Sequence, residues 1–254
     1  MPNPRWTHDR KLCKDLLGIV GVDEAGRGCL AGPVLAGCVI LPAEFFSLAN
    51  NRKIVEKIND SKQFDEATRE ELFGHIHSLI SNGKLFGATG SASVTEIEEL
   101  NIVGATCLAM QRAMKSASQM SNELWSPVFK READLFTEVI EVQTKWQVLV
   151  DGRPMKRLIY EHEGLVKGDT ISLAIAMASL LAKVTRDRLM KKLNDHFPDY
   201  GFGSNKGYGA PVHMEALEKI GPTEHHRPRF LQNLINEPKN EEKEKIEQTQ
   251  LSLP

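Results

Sequence analysis

Two apolar, β-branched runs in this chain stop abruptly at acids: Gly18-Ile-Val-Gly-Val22 ends at Asp23 and Glu24, and Val148-Leu-Val150 ends at Asp151. Runs of this composition read as strands buried in a sheet, so the three carboxylates are expected to project from strand ends. A fourth acid, Asp187, closes Ala182-Lys-Val-Thr-Arg-Asp187 on a helical stretch. Converging carboxylates repel one another unless a cation sits among them, and Mg²⁺ or Mn²⁺ suits oxygen ligands. A pair of such ions fits phosphodiester hydrolysis, one serving the attacking water and the other the leaving oxygen. Without metal, one or more of the acids is expected to be protonated or mobile.

The rest of the composition narrows the class. With 254 residues, 41% of them hydrophobic, the chain can build one sizeable α/β domain and a smaller appendage. No apolar stretch reaches the length of a bilayer span, and the first ten residues lack the apolar run of a secretory signal. The expectation is therefore a cytoplasmic protein with no membrane association. Cys13, Cys29, Cys38 and Cys107 are widely spaced with no Cys-x-x-Cys pair, which argues against zinc and disulfides and for reduced thiols. The net charge of −2 is carried by residues 237–254, where five acids face three lysines, so the body is neutral. A neutral body holding an acidic cluster must carry positive charge elsewhere, and a local basic patch is enough to grip phosphates.

Strands are expected at Ile19–Asp23, Leu35–Leu41, Lys84–Gly90, Gln147–Asp151 and Gly164–Lys167. Helices are expected at Asp65–Ile80 with Asp65 as cap, within Val94–Ala117, and over Ser172–Leu193. This order predicts a mixed sheet with helices on both faces. On the last helix Ser179, Lys183 and Asp187 share one face, opposite the apolar Leu173, Met177, Leu180, Leu181 and Val184. An Asp and a Lys at this spacing read equally as an ordinary surface ion pair.

The motifs Gly21-Val-Asp-Glu-Ala-Gly-Arg-Gly28, Leu30-Ala-Gly-Pro33, Asn59-Asp-Ser-Lys62, Val150-Asp-Gly152 and Lys167-Gly-Asp169 occur in this order. Ala178-Ser179, Ala182-Lys-Val-Thr-Arg-Asp187, Tyr200-Gly-Phe202 and Lys206-Gly-Tyr-Gly209 follow. Together, over most of the body, they resemble the ribonuclease HII family. The resemblance implies an α/β, ribonuclease H-like fold with a five-stranded mixed sheet flanked by helices and a C-terminal helical portion. It divides the chain into an N-terminal extension (1–17), a catalytic domain (18–195), a substrate-contacting helical portion (196–236) and a flexible tail (237–254).

The resemblance also implies a metal-dependent endonuclease. It would cut on the 5′ side of a ribonucleotide in RNA-DNA hybrids or in ribonucleotide-containing duplex DNA, leaving 3′-hydroxyl and 5′-phosphate ends. Asp23, Glu24, Asp151 and Asp187 would hold two Mg²⁺ or Mn²⁺ ions, with Asp23 bridging them. The loop Gly26-Arg27-Gly28 would read the 2′-hydroxyl through its backbone, although a tight turn explains the glycines as well. Tyr208 would pack on the neighbouring deoxyribose, or else anchor its loop. Lys62, Lys183, Arg186 and Lys206 are expected at phosphates, where surface lysines are otherwise merely solvated. His225, His226 and Arg227 are expected to be structural or peripheral, and Asp169 to cap the approach to its helix.

The chain departs from the family pattern at Cys29, where proline is usual, and at Asn205 and Ala210, where histidine and threonine are usual. Residues 118–145 are longer than the resemblance implies and are expected to form a surface insertion. The polar tail ends in Gln250-Leu251-Ser252-Leu253-Pro254, which resembles the peptide that docks bacterial replication and repair proteins on the sliding clamp, through Gln250, Leu251 and Leu253. The overall expectation is a monomer that removes ribonucleotides from DNA and clears RNA primers. The alternatives are a ribonuclease HIII-like enzyme favouring long hybrids and a non-catalytic hybrid-binding or clamp-associated protein.

Overall fold

The computed structural model describes residues 3–56, 58, 65–130 and 145–236. Lys62 and the clamp-like residues Gln250, Leu251 and Leu253 lie outside them. Helix α1 (Pro4–Leu12) leads into β1 (Gly18–Ala25) and β2 (Val34–Pro42), followed by a 3₁₀ turn (Ala43–Ser47), α2 (Ala49–Val55), α3 (Glu66–Ser81) and β3 (Phe86–Ala92). Next come α4 (Val94–Met120), β4 (Trp146–Asp151), β5 (Glu163–Leu165), the short α5 (Gly168–Ile171) and α6 (Leu173–His196). The C-terminal portion holds α7 (Phe202–Asn205), α8 (Pro211–Ile220) and α9 (Pro228–Asn236).

Among the described residues the strands form one five-stranded sheet ordered β3-β2-β1-β4-β5. The first three strands pair antiparallel, while β4 runs parallel to both β1 and β5. Side chains alternate across the sheet as the pleat demands. Ile19, Val39, Leu41 and Leu149 pack with α6, α3 and α1 on one face. Val20, Val22, Cys38 and Ile40 pack with α4 on the other. The mixed sheet covered on both faces is thus the one expected from the sequence.

Helix α6 lies very close to the sheet. A β-carbon on Gly37 would sit 2.1 Å from the Ala178 carbonyl oxygen, and one on Gly21 would sit 2.2 Å from the backbone of Ala174. Missing side chains on the two central strands therefore let α6 bring Ser179 over the end of β1.

Several boundaries differ from expectation. β1 continues to Ala25, so Asp23 and Glu24 pair with Gly37 and Ala36 inside the strand. β5 stops at Leu165, and Lys167 turns left-handed (φ 57°) to start α5. α4 breaks at Asn101 (φ 57°), whose side-chain oxygen accepts from the amides of Val103 and Gly104 and so recaps the helix from within.

The cap of α6 is Ser172, whose hydroxyl accepts from the Ile175 amide, rather than Asp169. Asp9 reinforces it from α1, accepting from the Ala174 amide (2.9 Å) and the Ser172 hydroxyl (3.0 Å). Helix α1 was not legible in the sequence. It is docked by Trp6, packed against Phe45 and Phe46. The described part of the surface insertion expected over 118–145 is mostly exposed and is pinned to the body at two points. Trp125 is buried in the α4-side core, and Lys130 donates to the Met155 carbonyl (3.0 Å).

Candidate active site

β1 and β4 run parallel with Val22 opposite Val150, so Asp23 and Asp151 leave the sheet side by side. The pleat turns Asp23 toward α6, and Glu24, one residue on, toward the face covered by α4. A cleft of about 420 Å³ opens there, lined by Asp23, Glu24, Gly26, Arg27, Gly28, Asp151, Ser179, Lys183, Arg186 and Tyr208. Arg69, from the first turns of α3, also lines it.

Asp23 is 6% exposed. Burial pushes its pKa up to about 8, and the charges of Glu24 and Asp151 push the same way, against hydrogen bonds from Ser179 and from the Glu24 amide (2.7 Å). Glu24 is raised too, chiefly by burial, while Arg27 opposes the shift from 3.2 Å. Asp151 accepts from the Gly168 amide at 2.6 Å. Burial and mutual repulsion thus push Asp23 and Glu24 toward their neutral forms, a cost that a bound cation would relieve. An all-oxygen donor set in that electrostatic condition fits a hard divalent cation.

Asp187 stands apart from the other three. It is buried and accepts from Lys183 Nζ at 2.7 Å one turn back on α6. Among the described residues no three Asp, Glu, His or Cys side chains come together as a ligand set for an ion. The structure thus gathers Asp23, Glu24 and Asp151 at one cleft and holds Asp187 on the neighbouring helix face through an ion pair.

The loop after β1 separates two glycines that look alike in sequence. Gly26 has φ +85°, and a β-carbon there would lie 1.9 Å from Arg186 Nε. At Gly28 a β-carbon would meet nothing within 4 Å. Packing requires the first glycine, while the space over the second is open to the cleft.

Two buried arginines hold this loop. Arg186 donates to the carbonyls of Pro33 (3.1 Å), Lys206 (2.8 Å) and Ala31 (3.0 Å). Arg227 donates to those of Gly32 (2.9 Å), Arg27 (2.9 Å) and Gly26 (2.7 Å). Arg186 and Lys206 therefore differ from the phosphate contacts expected of them. The Arg186 guanidinium is spent on carbonyls, and Lys206 is buried with its ammonium on the Gly203 carbonyl and near Glu66 (3.6 Å). Lys183 and the half-exposed Tyr208 do face the cleft. Cys29 is buried and hydrogen-bonded to Tyr208, whose hydroxyl is pushed up by burial first and then by Cys29.

Sequence reasoning missed Arg69 and the part played by Arg227. The only signal for Arg69 was its place seven residues after Lys62. Arg227 acts through a fold contact 200 residues distant, which no local pattern reports.

A ribonuclease HII family profile matches residues 20–233. The chain belongs to the ribonuclease HII family. Ribonuclease HII of Fusobacterium nucleatum is 40% identical over 237 residues, covering 92% of this chain and 94% of that protein. Ribonuclease HII of Coxiella burnetii is 42% identical over 212 residues, covering 84% and 87%. Family membership supports ribonuclease H activity and makes the protein a hydrolase of the nuclease class.

Solved structures agree in fold. Ribonuclease H2 from Pyrococcus horikoshii superposes with a TM-score of 0.58 at 22% identity, over 84% of this chain and 93% of that one. The ribonuclease HII of Archaeoglobus fulgidus, solved as a PCNA:RNase HII complex, gives 0.57 at 23%, over 84% and 95%. Bst-RNase HIII in complex with Mn²⁺ gives 0.59 at 14%, over 84% and 65%. Among the described residues no helix is long and apolar enough to cross a membrane, and the four cysteines are free and buried.

Proposed function

We propose that this member of the ribonuclease HII family is a Mg²⁺- or Mn²⁺-dependent endonuclease. It hydrolyses the phosphodiester 5′ of a ribonucleotide in RNA-DNA hybrids and of single ribonucleotides embedded in duplex DNA, leaving 3′-hydroxyl and 5′-phosphate ends. The observation that carries this reading is the juxtaposition in one cleft of Asp23, Glu24 and Asp151 with the open backbone at Gly28 and the exposed ring of Tyr208.

In this reading Asp23, Glu24, Asp151 and Asp187 would hold two divalent ions. When bound, the ions would supply an activated water and neutralise charge at the leaving oxygen. The protein's own groups do the rest. Ser179 orients Asp23 by hydrogen bonding. The Gly168 amide fixes one oxygen of Asp151. Lys183 lines the cleft and would meet phosphate. The backbone at Gly28 comes within reach of a 2′-hydroxyl because no side chain fends it off, and Tyr208 covers the next sugar. Arg186 and Arg227 keep the loop carbonyls turned inward and so fix its shape.

We further propose that the protein works in the cytoplasm as a monomer, in ribonucleotide removal and primer clearance during DNA replication and repair. The C-terminal peptide Gln250 to Leu253 would tether it to a sliding clamp. Support for the tether is the peptide's sequence and the solution of the related Archaeoglobus protein with PCNA. Deletion of residues 250–254 should abolish clamp binding and leave cleavage intact.

The decisive assay is divalent-dependent cleavage of a DNA duplex holding one ribonucleotide, beside an all-DNA duplex, a long hybrid and an Asp23→Asn control. A single 5′ cut that needs metal and vanishes in the control supports the reading. Cleavage of the long hybrid alone would indicate ribonuclease HIII-like specificity, and binding without cleavage would indicate a non-catalytic protein.

A further inference from the structure

A second groove of about 730 Å³ leaves the catalytic cleft on the side away from Tyr208. The two share Glu24, Arg27 and Asp151, so they form one continuous channel with the carboxylates at the junction. Beyond that junction the groove is lined by Arg153, Lys156 and Arg157, and no acid other than Glu24 and Asp151 lines it. The chain as a whole is slightly acidic, so three cations within five residues mark a local reversal of charge.

The segment bearing these cations is held in place by its backbone. The Gly152 amide bonds the Leu165 carbonyl (2.9 Å), and the Leu158 amide bonds that of Met155 (3.1 Å). The Met155 amide donates to His162 Nε2 (3.0 Å), and Leu158 is fully buried. Arg157 donates to the Leu100 carbonyl (3.2 Å), just before the break in α4. Arg153 and Lys156 are exposed, and among the described residues neither carries an ion pair. A rigid strap presenting unneutralised cations beside an anion-processing site is already arranged to receive phosphates, because little ordering remains to be done on binding.

We propose that the Arg153–Arg157 strap is a binding surface for the phosphodiester backbone of the duplex flank on the side of the cut away from Tyr208. This rests on the proposed nuclease reading and extends it: Tyr208 reads the sugar at one end of the channel, and the strap holds the backbone at the other. The contact is electrostatic and blind to base sequence. It contributes affinity and register, whereas the Gly28 loop contributes the choice of ribose.

The test uses the full chain with Arg153→Gln and Lys156→Gln together, both exposed positions whose substitution leaves the melting transition in place. Binding to a ribonucleotide-containing duplex is followed by anisotropy in chelator, which prevents cleavage, between about 50 and 200 mM salt. Each phosphate contact contributes about 0.9 to the slope of log K against log salt, so the double variant should be shallower by about 1 to 2 and bind roughly ten-fold more weakly. A companion experiment shortens the duplex on either side of the ribonucleotide. The unsubstituted protein should lose affinity for either shortening, and the variant should become insensitive to one flank only. Unchanged slopes, or equal loss of sensitivity to both flanks, would overturn the strap. Cleavage by the unsubstituted protein in Mn²⁺ tests the nuclease reading separately, so either can fail without the other.

Discussion

Lys183 holds Asp187 at 2.7 Å across one turn of α6, and the lysine lines the cleft in which Asp23, Glu24 and Asp151 meet. The aspartate side chain is buried (7%) but the lysine is about one-third exposed (36%), so solvent screens the pair and its contribution to folding is about 1 kcal/mol. Asp187→Asn should therefore leave the thermal midpoint nearly unchanged while cleavage falls by at least about a hundred-fold, as expected when one of a set of cooperating catalytic groups is removed. Melting curves and single-turnover rates on the same preparation check both halves. A variant that cleaves normally would make the pair a plain surface ion pair.

Arg227 carries a different kind of importance. It is fully buried and donates to three carbonyls, Gly26, Arg27 and Gly32, all in the loop after β1. Burial has already lowered its pKa to about 10, so the guanidinium sits there at an electrostatic cost that its hydrogen bonds offset. Arg227→Ala would leave those carbonyls without donors and should destabilise the protein by roughly 3–5 kcal/mol. Arg227→Lys should recover little, because an ammonium cannot reproduce the planar fork. Urea denaturation of both variants measures this.

Much of this site was legible before the structure. Apolar runs ending in acids placed Asp23, Glu24 and Asp151 because strand burial is written in local composition. Helical spacing likewise paired Lys183 with Asp187. What stayed hidden depends on contacts distant in sequence. Whether an arginine meets a phosphate or a carbonyl is not encoded near it, and so Arg186 and Lys206 looked like surface cations when the fold buries both. Helix α1 escaped notice because its apolar content is one tryptophan and a terminal leucine, and the break in α4 because Asn101 is unremarkable until its side chain is seen capping Val103 and Gly104.

Gly26 and Gly28 should part company on substitution. Gly26→Ala forces a β-carbon into Arg186 at a left-handed backbone position and should cost several kcal/mol, about 2–4. Gly28→Ala meets open space and should shift stability by less than about 1 kcal/mol. If the backbone at Gly28 reads the 2′-hydroxyl, its methyl should lower kcat/KM on a single-ribonucleotide duplex at least about ten-fold. Denaturant midpoints and steady-state kinetics on the pair decide between a reading loop and a mere turn.

The last prediction concerns acid. The Thr223 amide donates to His226 Nδ1 (2.9 Å), so the His226 proton sits on Nε2 and is given to His213 Nε2 (3.0 Å). His213 Nδ1 then donates to the carbonyl of Tyr208 (2.8 Å). This chain of bonds needs both rings neutral. Burial lowers both pKa values, that of His226 to about 4 with His213 adding to the effect. A histidine depressed below its ordinary 6.5 stabilises fully above that pH and loses the contribution as pH falls toward 4. Asp23 and Glu24 act in the opposite direction, because raised carboxylate pKa values make folding more favourable as pH falls. In an Asp23→Asn, Glu24→Gln background that opposing effect is removed, and His226 should lower the unfolding free energy by roughly 2 kcal/mol between pH 6.5 and 4.5, with His213, His77 and His162, all depressed by burial, adding to the fall. Adding His226→Asn should make that decline shallower by the His226 share. A free energy that stays level in the background protein would show that the rings charge without breaking the bonds that support Tyr208.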